Sequence, residues 1–462
     1  MSLGSRVCVV VCALALTLGL GAPVRAATST VLTLTAPAAY ADDVTTLTVA
    51  ATDEPGAPLV GAQLLLERQT GGAWQAVGTV TTGADGTASA DLAVSRVAAD
   101  NVVRATYAGD ADHPSAVQEG TLPTAPRAGR VSLSGPKAVV DERSVTLRVL
   151  WRTSNGQPVA GDVRIFRRVP GGRWTGYDVV TTGADGRGAV RVTPRTDTRW
   201  QARAPRLSWV AADRSGVVRI DNRPPGEPVA LPKGAPQPRI KLPAQRRAVG
   251  DGAHLSVAPI SDAVWAQMVG ATWHSGCPVG RSGLRIVRVN YWDYHGYRRR
   301  GELVASVDAA RPMGEALAEM YRRELPIRAM YRVDRFGWSG RSRGGDDYAS
   351  MAAGNTSAFN CRDVTGRPGH RSPHSWGRSL DVNTWENPYR SAQGIVPNTW
   401  WQPRSHKRVA WRSSSHAVVR LMARHGLRWT YGNGDTQHFD YVGSGGKRLA
   451  AGGPEACSQF CD

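Results

Sequence analysis

The sequence predicts a multidomain chain: two all-β sandwiches followed by an α+β domain with a small antiparallel sheet. Three observations carry this. The chain has 462 residues, enough for about three domains at roughly 100–200 residues each. An internal repeat is present, with VTTGADG at 80–86 returning at 180–186. Nine of the ten histidines lie beyond residue 251, so the side chains suited to chemistry sit in the last domain.

Residues 1–26 read as a signal peptide. Arg6 is basic, Val7 to Leu20 is almost wholly apolar, and Val24-Arg25-Ala26 fits a small-residue cleavage site. The apolar run falls short of the roughly 20 residues that span a bilayer, so the mature chain is expected to be soluble and exported, secreted or held in the cell wall. Residues 27–124 and 125–222 are the repeats. Gly71-Gly72-x-Trp74 matches Gly171-Gly172-x-Trp174, and Pro58-x-x-Gly61 matches Pro158-x-x-Gly161. Short runs rich in Val, Leu and Thr alternate with period 2, and Ala-Asp-Gly is a hairpin signal. Both repeats resemble bacterial immunoglobulin-like modules, and we read them as spacers in preference to wall-binding modules. Residues 223–250 are proline-rich, which predicts a semi-extended linker. Residues 251–462 form the α+β domain. Helices are expected over 312–326, opening on Pro312, and over 413–427, with capping serines and a stop at Gly426. Strands are expected over 284–292, 327–333, 379–384 and 438–442.

The formal charge is +19, and 52 of the 57 basic residues are arginine. So basic an exported chain is expected to meet a polyanion such as wall phosphate polymers or peptidoglycan carboxylates. Biased codon usage with a need for solubility is the plainer alternative, and no nucleic-acid motif is present. Cys8 and Cys12 fall in the signal. Cys277, Cys361, Cys457 and Cys461 suit an oxidising compartment and allow three pairings, of which we prefer Cys277–Cys361 with Cys457–Cys461.

The chemistry gathers around SPHSWGRSLD at 372–381. Pro373 and Gly377 make a continuous helix improbable, so His374 belongs on a turn and Asp381 on the strand that follows, with Gly377 as the bend. Histidine and aspartate together suit zinc, and a catalytic zinc takes three protein ligands. DTQHF at 435–439 offers the third, His438, with Asp435 three residues earlier as a candidate general base. Gly340 to Gly344 matches GxSxG but has neither the strand nor the helix of a nucleophile elbow.

SxHxxGxxxD, then Asn387-Pro388-Tyr389, then DxxHF, with NTSAFNCR at 355–362 and GCPVG at 276–280, resembles the zinc D-alanyl-D-alanine carboxypeptidase family. That family includes vancomycin-resistance dipeptidases and L-alanyl-D-glutamate endopeptidases. The resemblance spans roughly residues 260–442. It implies zinc on His374, Asp381 and His438, with Asp435 as base. It also implies Arg362 as the cation facing the scissile carbonyl, and Ser372 as a substrate-binding or orienting group. The segment before the base, WTYGNG at 429–434, is shorter than in many members, which leaves the groove's shape open. The implied function is a secreted zinc peptidase of peptidoglycan stem peptides. The NTSAFN and NPY motifs favour an L-alanyl-D-glutamate endopeptidase, with D-alanyl-D-alanine carboxypeptidase as the alternative. A wall-binding protein without catalysis is the alternative of another class.

Overall fold

Alternation of apolar and polar side chains builds the first half of the chain. In Val44–Asp53, Leu47, Val49 and Ala51 point inward and are buried, while Thr46 and Thr48 face away. The structure, a computed structural model, describes residues 28–240, 242–364, 367–392 and 394–443. The signal-like segment and Cys457 and Cys461 lie outside these residues.

Thr30–Thr35, Val44–Asp53 and Thr87–Ala93 form one antiparallel sheet of the first repeat. Ala73–Thr81, Gln63–Thr70, Val102–Tyr107 and Ala116–Thr121 form the other. Leu32, Val49, Leu64, Leu66 and Val103 fill the space between them. The second repeat repeats this order. Gly129–Ser134, Val145–Thr153 and Arg187–Val192 make one sheet. Thr175–Thr182, Gly161–Arg168, Thr198–Ala204 and Val218–Arg223 make the other. The first sandwich and most of the second fall in one compact unit, and residues from 221 onward, the end of that last strand included, with segments 138–143 and 193–196, form a second.

The repeated VTTGADG is a turn with a steric reason. Asp85 accepts the Thr87 amide at 3.0 Å and Asp185 the Arg187 amide at 2.9 Å. Gly86 and Gly186 adopt φ of 71° and 74°, and a Cβ on either would strike a backbone carbonyl, that of Ala51 or of Trp151. Only glycine tolerates both conditions.

In the second unit, Leu284–Trp292 and Arg298–Ser306 form a hairpin, joined by Ser256–Pro259. A helix over Val307–Arg322 packs its Ala309, Ala310, Met313 and Leu317 face into the main core. This helix begins five residues before the expected Pro312 start. Burial of Ala309 and Ala310 carries it through a proline whose missing N–H removes one helical bond. The second helix is shorter than expected, Ala417–Arg424. His416 caps it by accepting the Val418 amide at 3.2 Å, while Gly426 follows in the left-handed conformation. The expected strand over 327–333 is absent. Ile327 and Met330 are buried there, but asparagine side chains replace a ladder. Asn383 Oδ1 accepts from the Arg328 amide, and Asn355 pairs with both Tyr331 backbone groups. Beyond Arg223, which ends the preceding strand, the described residues of the proline-rich stretch form no helix or strand. Its Pro236 carbonyl accepts from the Trp385 indole at 2.7 Å, and Gln245 donates to the Arg300 carbonyl.

The sheet that carries the site is small: Ser379–Asp381, His438–Tyr441 and Leu427–Arg428. No helix among the described residues is long and apolar enough to cross a membrane. We expect Gly186→Ala to destabilise the chain by more than about 1 kcal/mol, through φ strain and the Trp151 contact. Urea unfolding checks this, with Gly216→Ala, at a glycine with open space around it, as the mild comparison.

Candidate metal centre

Strand register brings the ligand candidates together. Leu380 pairs with Phe439 and both are buried in the core, so the flanking pairs Asp381–His438 and Ser379–Asp440 face the opposite side. His374 arrives from the other direction, on a short 3-10 turn over Pro373–Trp376. Ser372 caps this turn by accepting the His374 amide at 3.3 Å, and Gly377 ends it at φ 68°. Turn, bend and strand are those expected of SPHSWGRSLD.

The three side chains converge. His374 Nε2 lies 3.2 Å from His438 Nδ1 and 3.2 Å from Asp381 Oδ2, and His438 Nδ1 lies 3.2 Å from Asp381 Oδ1. All three residues are buried. The remaining ring nitrogens are committed elsewhere. His374 Nδ1 meets the Ala358 carbonyl at 2.7 Å, and His438 Nε2 meets Asp440 Oδ1 at 2.8 Å. Each partner is an acceptor only, so it fixes the tautomer. In the neutral rings the lone pairs therefore fall on opposite nitrogens, Nε2 of His374 and Nδ1 of His438, and both of these face one carboxylate.

That donor set fits a divalent cation. Bonds of about 2.0–2.1 Å in a tetrahedron set the donor atoms about 3.3 Å apart, close to the spacings seen here. The carboxylate behind His438 is the usual support of a histidine ligand. Charge is also coupled across the group. Burial raises the Asp381 pKa, but His374 and His438 outweigh it and hold the carboxyl well below the usual carboxylate range. Burial likewise works against a charged His438, yet Asp440 and Asp381 hold its imidazole well above the usual histidine range.

The other expected residues are placed as follows. Asp435 is buried, with Oδ2 at 4.0 Å from His438 Nδ1, beside the ligand group but outside bonding distance of it. Arg362 is fully buried, and its Nη2 pairs with Asp347 Oδ2 at 3.0 Å. Its backbone is tied to the histidine turn, because Ser375 Oγ accepts the Arg362 amide at 3.1 Å and Arg362 O accepts the Ser372 amide at 3.0 Å. The preceding Cys361 forms the expected disulfide with Cys277. His274, Cys277 and Cys361 also cluster, but the two sulfurs are bonded to each other and offer no thiolate.

Sequence reasoning missed three residues. Asp440 shares the ligand face by the period-2 rule, a signal present in HFD. Asp347, fifteen residues before Arg362, gave no local signal. Gln437 donates to Asp381 Oδ2 at 3.4 Å, while its own buried Oε1 has no partner among the described residues.

A family model described as D-alanyl-D-alanine carboxypeptidase matches residues 365–441. The match takes in His374, Asp381, Asp435 and His438 and leaves out Arg362. No curated protein matches the chain. Among solved structures, the native α-2-macroglobulin of E. coli is 10% identical over 61% of this chain and 20% of that one, with a TM-score of 0.21. A Salmonella α-2-macroglobulin reacted with methylamine is 14% identical over 57% and 18%, at 0.21. A marsupial T cell receptor is 11% identical over 59% and 99%, at 0.23. The chain spans about a fifth of the length of the macroglobulins, and likenesses this slight carry no argument.

Asp440→Ala should leave the fold intact by circular dichroism and weaken zinc binding about 10–100-fold, read by competition with a chromophoric chelator. A cation bound there would displace the proton that Asp440 and Asp381 favour on His438. Apparent zinc affinity should therefore fall as pH falls, by about tenfold per unit for each proton displaced, and a pH-independent affinity would contradict this.

Proposed function

We propose that residues 251–442 form a zinc-dependent peptidase acting on peptidoglycan stem peptides, and that the chain is exported to the wall. The observation that carries this reading is the convergence of two oppositely oriented imidazoles and one carboxylate, with a second carboxylate 4.0 Å away. A zinc ion bound there supplies a Lewis acid and a water acidified to a pKa of about 7. Asp435 Oδ2 is the proton acceptor on this side of the site, and returns the proton to the departing amine nitrogen. Asp381 is occupied by both histidines and is unsuited to that role. Arg362, locked by Asp347, supplies a fixed positive charge for the carbonyl oxygen as it becomes anionic. Ser372 serves by holding the His374 turn.

For the bond cut, the matched family model favours removal of a terminal D-alanine, whereas the NTSAFN and NPY motifs lean towards the L-alanyl-D-glutamate bond. We take peptidase action on the stem peptide as the function, with the carboxypeptidase type as the form the match supports. Incubating the purified chain with muropeptides, with and without a chelator, tests it. Free D-alanine supports the carboxypeptidase, a new D-glutamate amine supports the endopeptidase, and no chelator-sensitive product refutes both. His438→Ala should lose stoichiometric zinc. Asp435→Ala should keep zinc and lose turnover by about 10²–10⁴-fold.

A further inference from the structure

One sheet face of the second sandwich is built unlike its counterpart in the first. The outward side of Gly129–Ser134, Val145–Thr153 and Arg187–Val192 presents Arg130, Arg148, Arg152, Arg187 and Arg191. All are exposed except Arg152, which is half-buried. Arg130 stands directly across from Arg152, a like-charge pairing that destabilises a sheet. Among the described residues only Arg187 has a carboxylate within 4.0 Å, that of Asp185 at 3.9 Å, and both of those side chains are exposed; Arg152 donates to the Gly156 carbonyl at 2.6 Å. The remaining outward positions of these strands are Ser132, Ser134, Thr146, Leu150 and Ala189, with no acid and no aromatic ring.

The first repeat is an internal control. The same register places Val31 opposite Thr52, with Thr48, Thr87 and Asp91 at the other three positions. The fold therefore does not require these arginines, and an anionic partner would relieve their mutual repulsion. We propose that this face binds a linear phosphodiester polymer without bases, of the polyol-phosphate type. Guanidinium forks match phosphate oxygens in a bidentate manner. Strands about 4.8 Å apart, with Arg148 and Arg152 about 13 Å apart along one of them, form a flat grid that a flexible chain can cover. Single-stranded nucleic acid would call for aromatic stacking platforms, which this face lacks. The face thus goes beyond a spacer role for the repeats.

The test replaces the five arginines by their first-repeat counterparts: Arg130→Val, Arg148→Thr, Arg152→Thr, Arg187→Thr and Arg191→Asp. A charge-matched control, lowering the charge by the same six, carries Asp at Arg173 and Thr at the exposed Arg143, Arg206, Arg239 and Arg322, and Arg148→Thr with Arg191→Thr is a milder second variant. Binding of the purified chain to deacylated polyglycerol phosphate is measured against salt. The face variant should lose more than about tenfold affinity and about four units of the log–log salt slope. The double variant should lose about two units, and the control should stay near the parent. Equal loss in the control, or unchanged binding in the double variant, overturns the proposal. Tighter binding of polyglutamate or of a short DNA duplex overturns the choice of polymer. Hydrolysis plays no part in the readout, so its failure leaves the peptidase reading standing.

Discussion

The site rests on one register. Leu380 must face Phe439 across two short strands, because both side chains belong to the core that the long helix and the hairpin complete. Apolar burial worth roughly 1.5–3 kcal/mol per large side chain holds that pairing. With side chains alternating by two, Asp381 and His438 are then obliged to face the other way, next to each other. A slip of one residue would send the ligands into the core and the core residues to the site. Three residues of strand thus place two candidate ligands and the Asp440 carboxylate at once.

The third candidate ligand is placed by a different kind of constraint. His374 sits on a turn held by its neighbours on both sides: Ser372 caps it, Gly377 reverses the chain, and the Ala358 carbonyl orients the ring. A Cβ on Gly377 would press on the Ser306 amide at 2.7 Å, so this turn is fitted against the hairpin's end. The segment that supplies Ala358 pairs with Asp381 through the Ser357 backbone, at 2.9 and 3.0 Å, and continues to Arg362. The Cys277–Cys361 bond secures it one residue before Arg362. Ligand, ring-orienting carbonyl and buried guanidinium are therefore carried on two short backbone stretches bonded to each other.

Much of this was readable from the residues, and the misreadings have a common cause. The repeat was legible because period-2 alternation and the Asp-Gly turns are local properties. His374, Asp381 and His438 were legible because turn, bend and strand chemistry surround them within a few residues. Residues 327–333 resemble a strand in composition, yet the backbone of Arg328 and Tyr331 is bonded by the side chains of Asn383 and Asn355, which only the tertiary fold brings near. Pro312 marks a helix start locally, but the core buries Ala309 and Ala310 ahead of it. Asp347 escaped notice for the same reason, since nothing near position 347 points to Arg362. Asp440 was within reach of the alternation rule, but an aspartate in a short strand reads equally well as a solvated side chain.

Arginine plays two opposed parts in this chain, and the difference lies in its partners. Around the second unit's core the guanidinium groups are matched. Arg328 pairs with the buried Glu386, Arg332 with Asp334 and Glu302, Arg299 with Asp293, and Arg362 with Asp347. Burying an unmatched cation there would cost several kcal/mol, so these arginines come with an acid and add little to the net charge, while Arg412 is met by carbonyl oxygens of Gln402, Glu386 and Trp401. The excess of +19 must therefore reside where arginines lack acids, as on the outward sheet face of the second repeat. Solvent makes such crowding tolerable but not favourable, because like charges on neighbouring strands repel at every ionic strength short of full screening. A face that holds this arrangement where its sister repeat holds threonine and aspartate is under a constraint that the fold alone does not impose.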